Sequence, residues 1–172
     1  MNKLYPLLAF AFIANTAYAD DSTYRSEAKL SDSQASTWNV GAGFTRNMIH
    51  LNTEWVNPYG ITYVKGGVFL DDDKPFGAQV GLRYPAHLTG KDKNGYYVGA
   101  YAGHIQSKKV DGEYEARLGG GVDLSYVMLS SERISTFSVG IGAGEEMKSR
   151  SGHVVAEIEP QLQFSYTLSI GL

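Results

Sequence analysis

Apolar and polar residues alternate strictly along the end of the chain, residues 156–172. One row consists of Ala156, Ile158, Leu162, Phe164, Tyr166, Leu168, Ile170 and Leu172, with Pro160 as its only interruption. The other row consists of Glu157, Glu159, Gln161, Gln163, Ser165, Thr167, Ser169 and Gly171. Successive side chains of a β-strand point to opposite faces. The pattern therefore predicts a strand with one apolar and one polar face, and excludes a helix, in which the two rows would mix.

The same period of two recurs upstream and predicts seven further strands. They cover residues 38–44, 49–55, 62–70, 78–84, 96–106, 114–128 and 137–143. Turn-forming residues separate them, including Asn57-Pro58-Tyr59-Gly60 and the charged run Asp71–Pro75. The strand at 96–106 carries small and aromatic residues in both rows, so its orientation stays open. No segment after residue 19 has the helical period, and an all-β domain of eight strands is expected.

The start of the chain has the pattern of a secretory signal peptide. Lys3 supplies a positive charge, Leu4–Ala14 is apolar, and Ala17-Tyr18-Ala19 fits the cleavage pattern of small residues. The apolar run is shorter than the roughly 20 residues that a membrane-spanning helix needs. The predicted organisation is a signal peptide at 1–19, a flexible polar leader at 20–35 and a single domain at 36–172.

Net charge and cysteine content exclude some classes of partner and binding site. The predicted signal peptide contains one Lys and no acidic residue, so its removal takes the net charge from −3 to −4. A mildly acidic chain without a basic cluster argues against a nucleic-acid partner. The chain has no Cys, which excludes disulfides and thiolate metal sites.

The character of the polar row separates two kinds of barrel. A soluble barrel needs a large apolar core and a surface rich in Lys and Glu, whereas Gly, Ser, Thr, Gln and Asn dominate the polar row here. Such small residues suit the narrow interior of an eight-stranded barrel. The apolar row is nearly free of charges, each of which costs about 2–4 kcal/mol at the midplane of a membrane. The sequence therefore predicts an antiparallel up-and-down transmembrane β-barrel with its apolar row facing lipid.

From Thr37 to Leu172 the chain resembles the small eight-stranded outer-membrane barrels of the OmpA-transmembrane and OmpX-like group. The final strand is similar to the family's C-terminal assembly signal, with Phe164, Tyr166, Leu168, Ile170 and Leu172 at alternating positions. The family usually ends in an aromatic residue, where this chain has Leu172. The resemblance implies export across the inner membrane to the cell envelope of a Gram-negative bacterium. It also implies contact with outer-membrane lipid and lipopolysaccharide, insertion by the barrel-assembly machinery, and a monomer.

Charged residues on the polar row give the candidate functional cluster. They are Arg117, Arg83, Lys65, Glu54, Glu115, Asp123 and Glu157. A closed interior does not hold isolated charges cheaply, so these groups are expected to pair. We expect the paired charges to fill the lumen of a porin-like barrel and to block a continuous water path, in a structural or interaction role.

Two alternatives remain open at this stage. One is a lipid-modifying outer-membrane enzyme, with Ser151-Gly152-His153 followed by Glu157 near the last loop. Glu145 or Glu146 could approach this set from the neighbouring strand. The other is a soluble periplasmic β-barrel that binds an apolar ligand. The His residues are dispersed, and Asp71-Asp72-Asp73 lacks the ligand spacing of a calcium loop. The expectation is therefore no enzyme, with no catalytic, metal or cofactor-binding residue and no cofactor.

Overall fold

A computed structural model of the protein describes residues 27–172. The predicted signal peptide and residues 20–26 of the leader lie outside this range. The strands are β1 (Trp38–Thr45), β2 (Met48–Asn57), β3 (Gly60–Phe69), β4 (Phe76–Leu88), β5 (Gly95–Val110), β6 (Glu113–Leu129), β7 (Arg133–Gly144), β8 (Met147–Lys148), β9 (Val154–Ala156) and β10 (Pro160–Gly171). The described residues form no helix, and so none that could cross a membrane.

Eight of these strands close into an antiparallel barrel. Its order is β1-β10-β7-β6-β5-β4-β3-β2, so each strand lies beside its neighbour in sequence and β10 returns to β1. The closing pairs run from Asn39 opposite Gly171 to Thr45 opposite Ser165. Strands β8 and β9 form a separate hairpin in the connection from β7 to β10. The predicted all-β fold with a closed eight-stranded antiparallel barrel is confirmed.

The barrel has two different ends. At one, the terminal end, the first and last strands have their outer termini, beside the turns β2–β3, β4–β5 and β6–β7. At the other, the loop end, lie the connections β1–β2, β3–β4, β5–β6 and the link that contains β8 and β9. These two names are used below.

The polar row of each strand points into the barrel and the apolar row points out. Leu51, Val64 and Ile141 are 71%, 55% and 56% exposed, whereas Arg83 and Ser169 are 1% and 0% exposed. In a typical water-soluble barrel the interior is apolar and the outer surface polar, because burial of apolar surface drives folding in water. The interior is thus polar and the outer wall apolar.

Strand β5, whose orientation the sequence left open, has Tyr97, Gly99 and Tyr101 inside and Tyr96 outside. A bulge between His104 and Gln106 then shifts its pairing with β6 by one residue. A bulge places an extra residue on one strand and disturbs the local alternation. The two inward tyrosines, together with the bulge near the end of the predicted strand, explain why neither row of β5 is clearly apolar in the sequence.

Two prolines account for differences from the predicted boundaries. The last barrel strand begins at Pro160 rather than Ala156, because proline lacks an N–H and is tolerated at the first position of a strand. Conversely, β4 continues to Leu88 beyond Pro85, where the sequence suggests a connection. Pro85 lies at a register shift, a position at which the ladder does not need its N–H.

The described part of the leader, residues 27–35, closes the terminal end of the barrel. An apolar cluster forms there from Leu30, Val56, Ile61, Tyr97, Val127, Leu129 and Ile134. The Leu30 N–H donates to the Pro58 carbonyl at 2.9 Å, and Lys29 Nζ donates to the Pro85 carbonyl at 3.2 Å. Lys29 also lies 5.2 Å from the centre of the Tyr84 ring. This part of the leader is therefore bound to the barrel, whereas the sequence suggested a flexible segment.

The loop end is closed by a second apolar layer. Met48 and Phe69 are fully buried, and Gly77 lies beside both of them. A Cβ at Gly77 would lie 2.6 Å from the Phe69 ring, so glycine leaves the space that the ring occupies. Above this layer, Val110 at the tip of β5 packs with Met147 and Ala156 of the β8–β9 hairpin.

Leu30→Ala should release the leader without opening the barrel. Truncating a buried Leu to Ala costs about 2–5 kcal/mol of stability, and Leu30 is 3% exposed among side chains of five strands. Hydrogen exchange of residues 28–35 should accelerate while the strands keep their protection. Leu70→Ala is the matched control, because Leu70 is 60% exposed. Equal exchange of the leader in both variants would contradict a bound leader.

Candidate functional site

A buried ion pair lies in the lumen, nearer the terminal end than the loop end. Arg83 Nη1 on β4 donates to Glu54 Oε1 on β2 at 3.1 Å, and both side chains are almost fully inaccessible. The other carboxylate oxygen, Oε2, accepts from Ser169 Oγ on β10 at 2.7 Å. Asn52 Nδ2 in turn donates to Ser169 Oγ at 2.9 Å. Glu54 thus connects strands on both sides of it across the barrel, and each carboxylate oxygen has a donor.

Tyr63 brings a second cation into the same region. Its ring centre lies 4.1 Å from the Arg83 guanidinium carbon and 4.9 Å from Lys65 Nζ. The face of an aromatic ring attracts cations, and this attraction is stronger where water is excluded. Gly81 makes room for the ring, since a Cβ there would lie 2.4 Å from it. The ring therefore offsets part of the repulsion between two buried positive charges.

Asp123 is the second buried acid of the lumen. It is 8% exposed, and its Oδ1 accepts from Ser125 Oγ at 3.3 Å; Ser125 also bonds Ser138 at 2.8 Å. Asp123 and Lys65 both line a cavity of about 20 Å³, together with Tyr101. That volume suits about one water molecule, and polar groups around it provide the partners that such a water needs.

Arg117 lies at the loop end and binds main-chain carbonyls instead of a carboxylate. Its Nε donates to the Glu145 carbonyl at 2.6 Å, and its Nη2 donates to the carbonyls of Gly144 (3.0 Å) and Glu157. Because Gly144 ends β7 and Glu157 lies just before β10, one guanidinium holds both sides of the connection that contains the β8–β9 hairpin. The buried charge is compensated by main-chain carbonyls.

The predicted cluster is therefore divided. Glu54 and Arg83 pair directly, while Lys65 and Asp123 face the same small cavity without an ion pair between them among the described residues. Two predicted members lie elsewhere. Glu115 is exposed on the part of the β5–β6 hairpin that extends past the bulge. The Glu157 side chain is also exposed, and only its carbonyl meets Arg117. For these two acids, the expected luminal position was wrong.

Tyr63, Ser169 and Asn52 complete the site, although sequence reasoning did not select them. All three lie on the inward row, which was a usable signal. Nothing local identifies them as partners of Glu54 and Arg83, because Ser169 and Glu54 are 115 positions apart in the chain.

The residues suggested for the enzyme alternative are on an exposed loop. Ser149 and Ser151 share a hydrogen bond of 2.8 Å between their hydroxyls, and the Ser149 N–H donates to the His153 carbonyl at 2.9 Å. Within residues 27–172, no hydrogen bond joins Ser151 to the His153 ring. Nor do the described residues contain three or more His, Cys, Asp or Glu side chains grouped closely enough to hold a metal ion.

The residues of the predicted assembly signal lie at the seam of the barrel. Phe164, Leu168 and Ile170 are exposed on the outer face of β10, and Tyr166 stacks obliquely on Phe44 at 5.9 Å. The Leu172 N–H donates to the Trp38 carbonyl at 3.0 Å, which extends the pairing of β10 with β1 to the last residue.

Comparisons with protein-family models, curated proteins and solved structures give no match to this chain. Its function must therefore be inferred from the geometry of the lumen and the wall.

Removing the charge of only one member of the Glu54–Arg83 pair should destabilise the barrel strongly. Glu54→Gln leaves Arg83 charged in the interior, and loss of one partner of a buried pair costs about 3–5 kcal/mol. The double variant Glu54→Gln/Arg83→Met should lose less than the sum of the two single variants, as measured by urea unfolding. Glu115→Gln, at an exposed carboxylate, should change the free energy of unfolding by less than about 0.5 kcal/mol. Additive losses would show that the pair is not coupled.

The closed ends should prevent ion flow. Apolar layers seal the terminal and loop ends, and side chains fill the polar region between them. In planar-bilayer recordings the wild-type protein should give no large, stable conductance. A long-lived open state of high conductance would show that the lumen is not filled in the membrane.

Proposed function

We propose that the protein is an integral barrel of a bacterial outer membrane, with a filled lumen and a structural or interaction role. The observation that carries this proposal is the inverted polarity of the fold. Its outer wall is apolar, and its interior contains a paired Glu54 and Arg83. In water such a wall would expose a contiguous apolar surface of the kind that marks contact with a membrane or partner.

The composition of the wall supports lipid as its surroundings. Between the two rims, the outward positions of the described barrel strands carry no Asp, Glu, Lys or Arg. Seven of the eight barrel strands have ten or more residues, and a tilted strand needs about 9–11 to cross the apolar layer.

Aromatic side chains are concentrated at the rims. At the terminal end, Trp38 stacks on Trp55 with ring centres 6.1 Å apart, and Tyr96 meets Tyr126 edge-on at 5.2 Å. Phe76, which begins β4 at the loop end, is 65% exposed. Tyr and Trp favour membrane–water interfaces because each ring is apolar and carries one polar group. The positions of these rings therefore support a wall that spans from one interface to the other.

The loop end provides the surface for an interaction role. The acidic β3–β4 connection is fastened to the β5–β6 hairpin, since Ser107 Oγ donates to Asp71 and the Tyr114 N–H donates to Asp73 at 2.8 Å. Arg117 fixes the connection that contains the other hairpin. The barrel would thus present two ordered hairpins beyond the membrane.

A charge on the outer wall tests this proposal directly. In lipid, Val64→Arg should cost about 2–4 kcal/mol, because Val64 faces outward in the middle of β3. A surface change in water would stay within about 0.5 kcal/mol. Tyr59→Arg is the control, since Tyr59 is similarly exposed but lies in the β2–β3 turn.

The measurement is migration of unboiled and boiled samples of the outer-membrane fraction on a denaturing gel. Wild type and Tyr59→Arg should show a faster unboiled band, and Val64→Arg should show less of it. Wild-type protein in the soluble periplasmic fraction, with no band shift and no effect of Val64→Arg, would refute the membrane proposal.

A further inference from the structure

A groove opens on the outer wall at the terminal end of the barrel. Its volume is about 640 Å³, within the range of small-molecule sites. It begins on the outer faces of β6, β7 and β10 and reaches the polar turns and the bound leader. One side of the groove is therefore continuous with the apolar wall, and the other side faces the rim.

A small residue creates the apolar part of the groove. Ser135 of β7 lies in register between Met128 of β6 and Leu168 of β10, and all three line the groove. The larger neighbours form two walls and Ser135 forms the floor. Ser135 Oγ donates to the Tyr166 hydroxyl at 3.1 Å, so the polar atom on this floor already has a partner. The result is a channel with two apolar walls, open toward the surroundings of the barrel.

Two opposite charges lie at the rim of the groove. Arg133 stands two residues before Ser135 on the same outward face of β7. Within residues 27–172 its guanidinium has no hydrogen bond or ion pair, since only its main chain bonds Ser130. Asp92, in the β4–β5 turn, is exposed and lines the same groove. No ion pair joins Asp92 to Arg133 in the described structure, so both charges face solvent.

We propose that this groove binds one phospholipid with a zwitterionic, amine-bearing headgroup. The phosphate accepts hydrogen bonds from Arg133, the ammonium group faces Asp92, and one acyl chain lies over Ser135. An unpaired guanidinium is a strong phosphate ligand because it donates two parallel hydrogen bonds. The order of the groups favours a lipid, since the charges are at the rim and the channel runs along the wall. This inference rests on the proposed membrane location.

The test uses the full mature protein folded in detergent, with phosphatidylethanolamine or phosphatidylglycerol added and bound lipid counted by native mass spectrometry. Wild type should retain one phosphatidylethanolamine in preference to phosphatidylglycerol. Arg133→Gln should weaken retention of both lipids by about fivefold, the effect of one partly exposed charge-assisted contact. Asp92→Asn should remove the preference between the lipids, and Ser135→Leu should abolish retention by filling the channel.

Two controls match these variants. Arg150→Gln removes an exposed guanidinium at the loop end, and Ala100→Leu enlarges a small outward residue on β5, away from the groove. Both should retain lipid as the wild type does. Equal retention by all variants would overturn the proposal, as would competition by free phosphoethanolamine that matches the intact lipid.

The gel shift of every sample separates this inference from the proposed function. A protein that shows the shift but has no selective retention of lipid overturns the lipid site alone. A wild-type protein without the shift and outside the membrane fraction refutes the membrane proposal, and the lipid site with it.

Discussion

The pairing of β10 with β1 is the interaction on which the rest of the structure depends. It gives each barrel strand two neighbours, so the main chain of the wall satisfies its hydrogen bonds without solvent. In an apolar medium, an unpaired main-chain group costs several kcal/mol, which only a closed sheet or a helix avoids. Closure also creates a lumen. Because successive side chains of a strand point to opposite faces, every second side chain then points into this lumen. Everything polar in the lumen must find partners because this seam is closed.

The described part of the lumen meets that demand in part: Glu54 and Arg117 have partners, whereas both His50 ring nitrogens and the Arg83 Nε are buried without a hydrogen bond. Apolar side chains occupy both ends, and the charges lie between them or, like Arg117, against main-chain carbonyls. Glu54 is the best satisfied, with Arg83 and Ser169 on its two oxygens. Lys65 and Asp123 instead share a cavity of water size. The two partners of Glu54 favour one arrangement of the interior, because another register would leave its buried carboxylate without donors.

Local pattern was sufficient for the eight barrel strands and for the faces of all of them except β5, since alternation needs only neighbouring residues. It was also sufficient to select Glu54, Arg83, Lys65, Asp123 and Arg117 as inward charges. Their partners depend on how far each strand is displaced along the next, which no single strand encodes. Glu115 lies on the part of β6 before Gly119, the first residue that pairs with β7, so it is outside the closed barrel. Glu157 also stays outside, because the last barrel strand begins only at Pro160. The leader looked flexible because the pocket for Leu30 comes from five distant strands.

The pocket for Leu30 also constrains the order of folding steps. Its walls come from β2, β3, β5, β6 and β7, and these side chains converge only when the sheet has curved round. Residues 27–35 can therefore dock only after most of the barrel strands have assembled. Contacts between residues so distant in sequence form slowly, since much chain must be ordered first. Docking of the leader is therefore expected to follow closure of the barrel, because its binding site does not exist on a partly formed sheet.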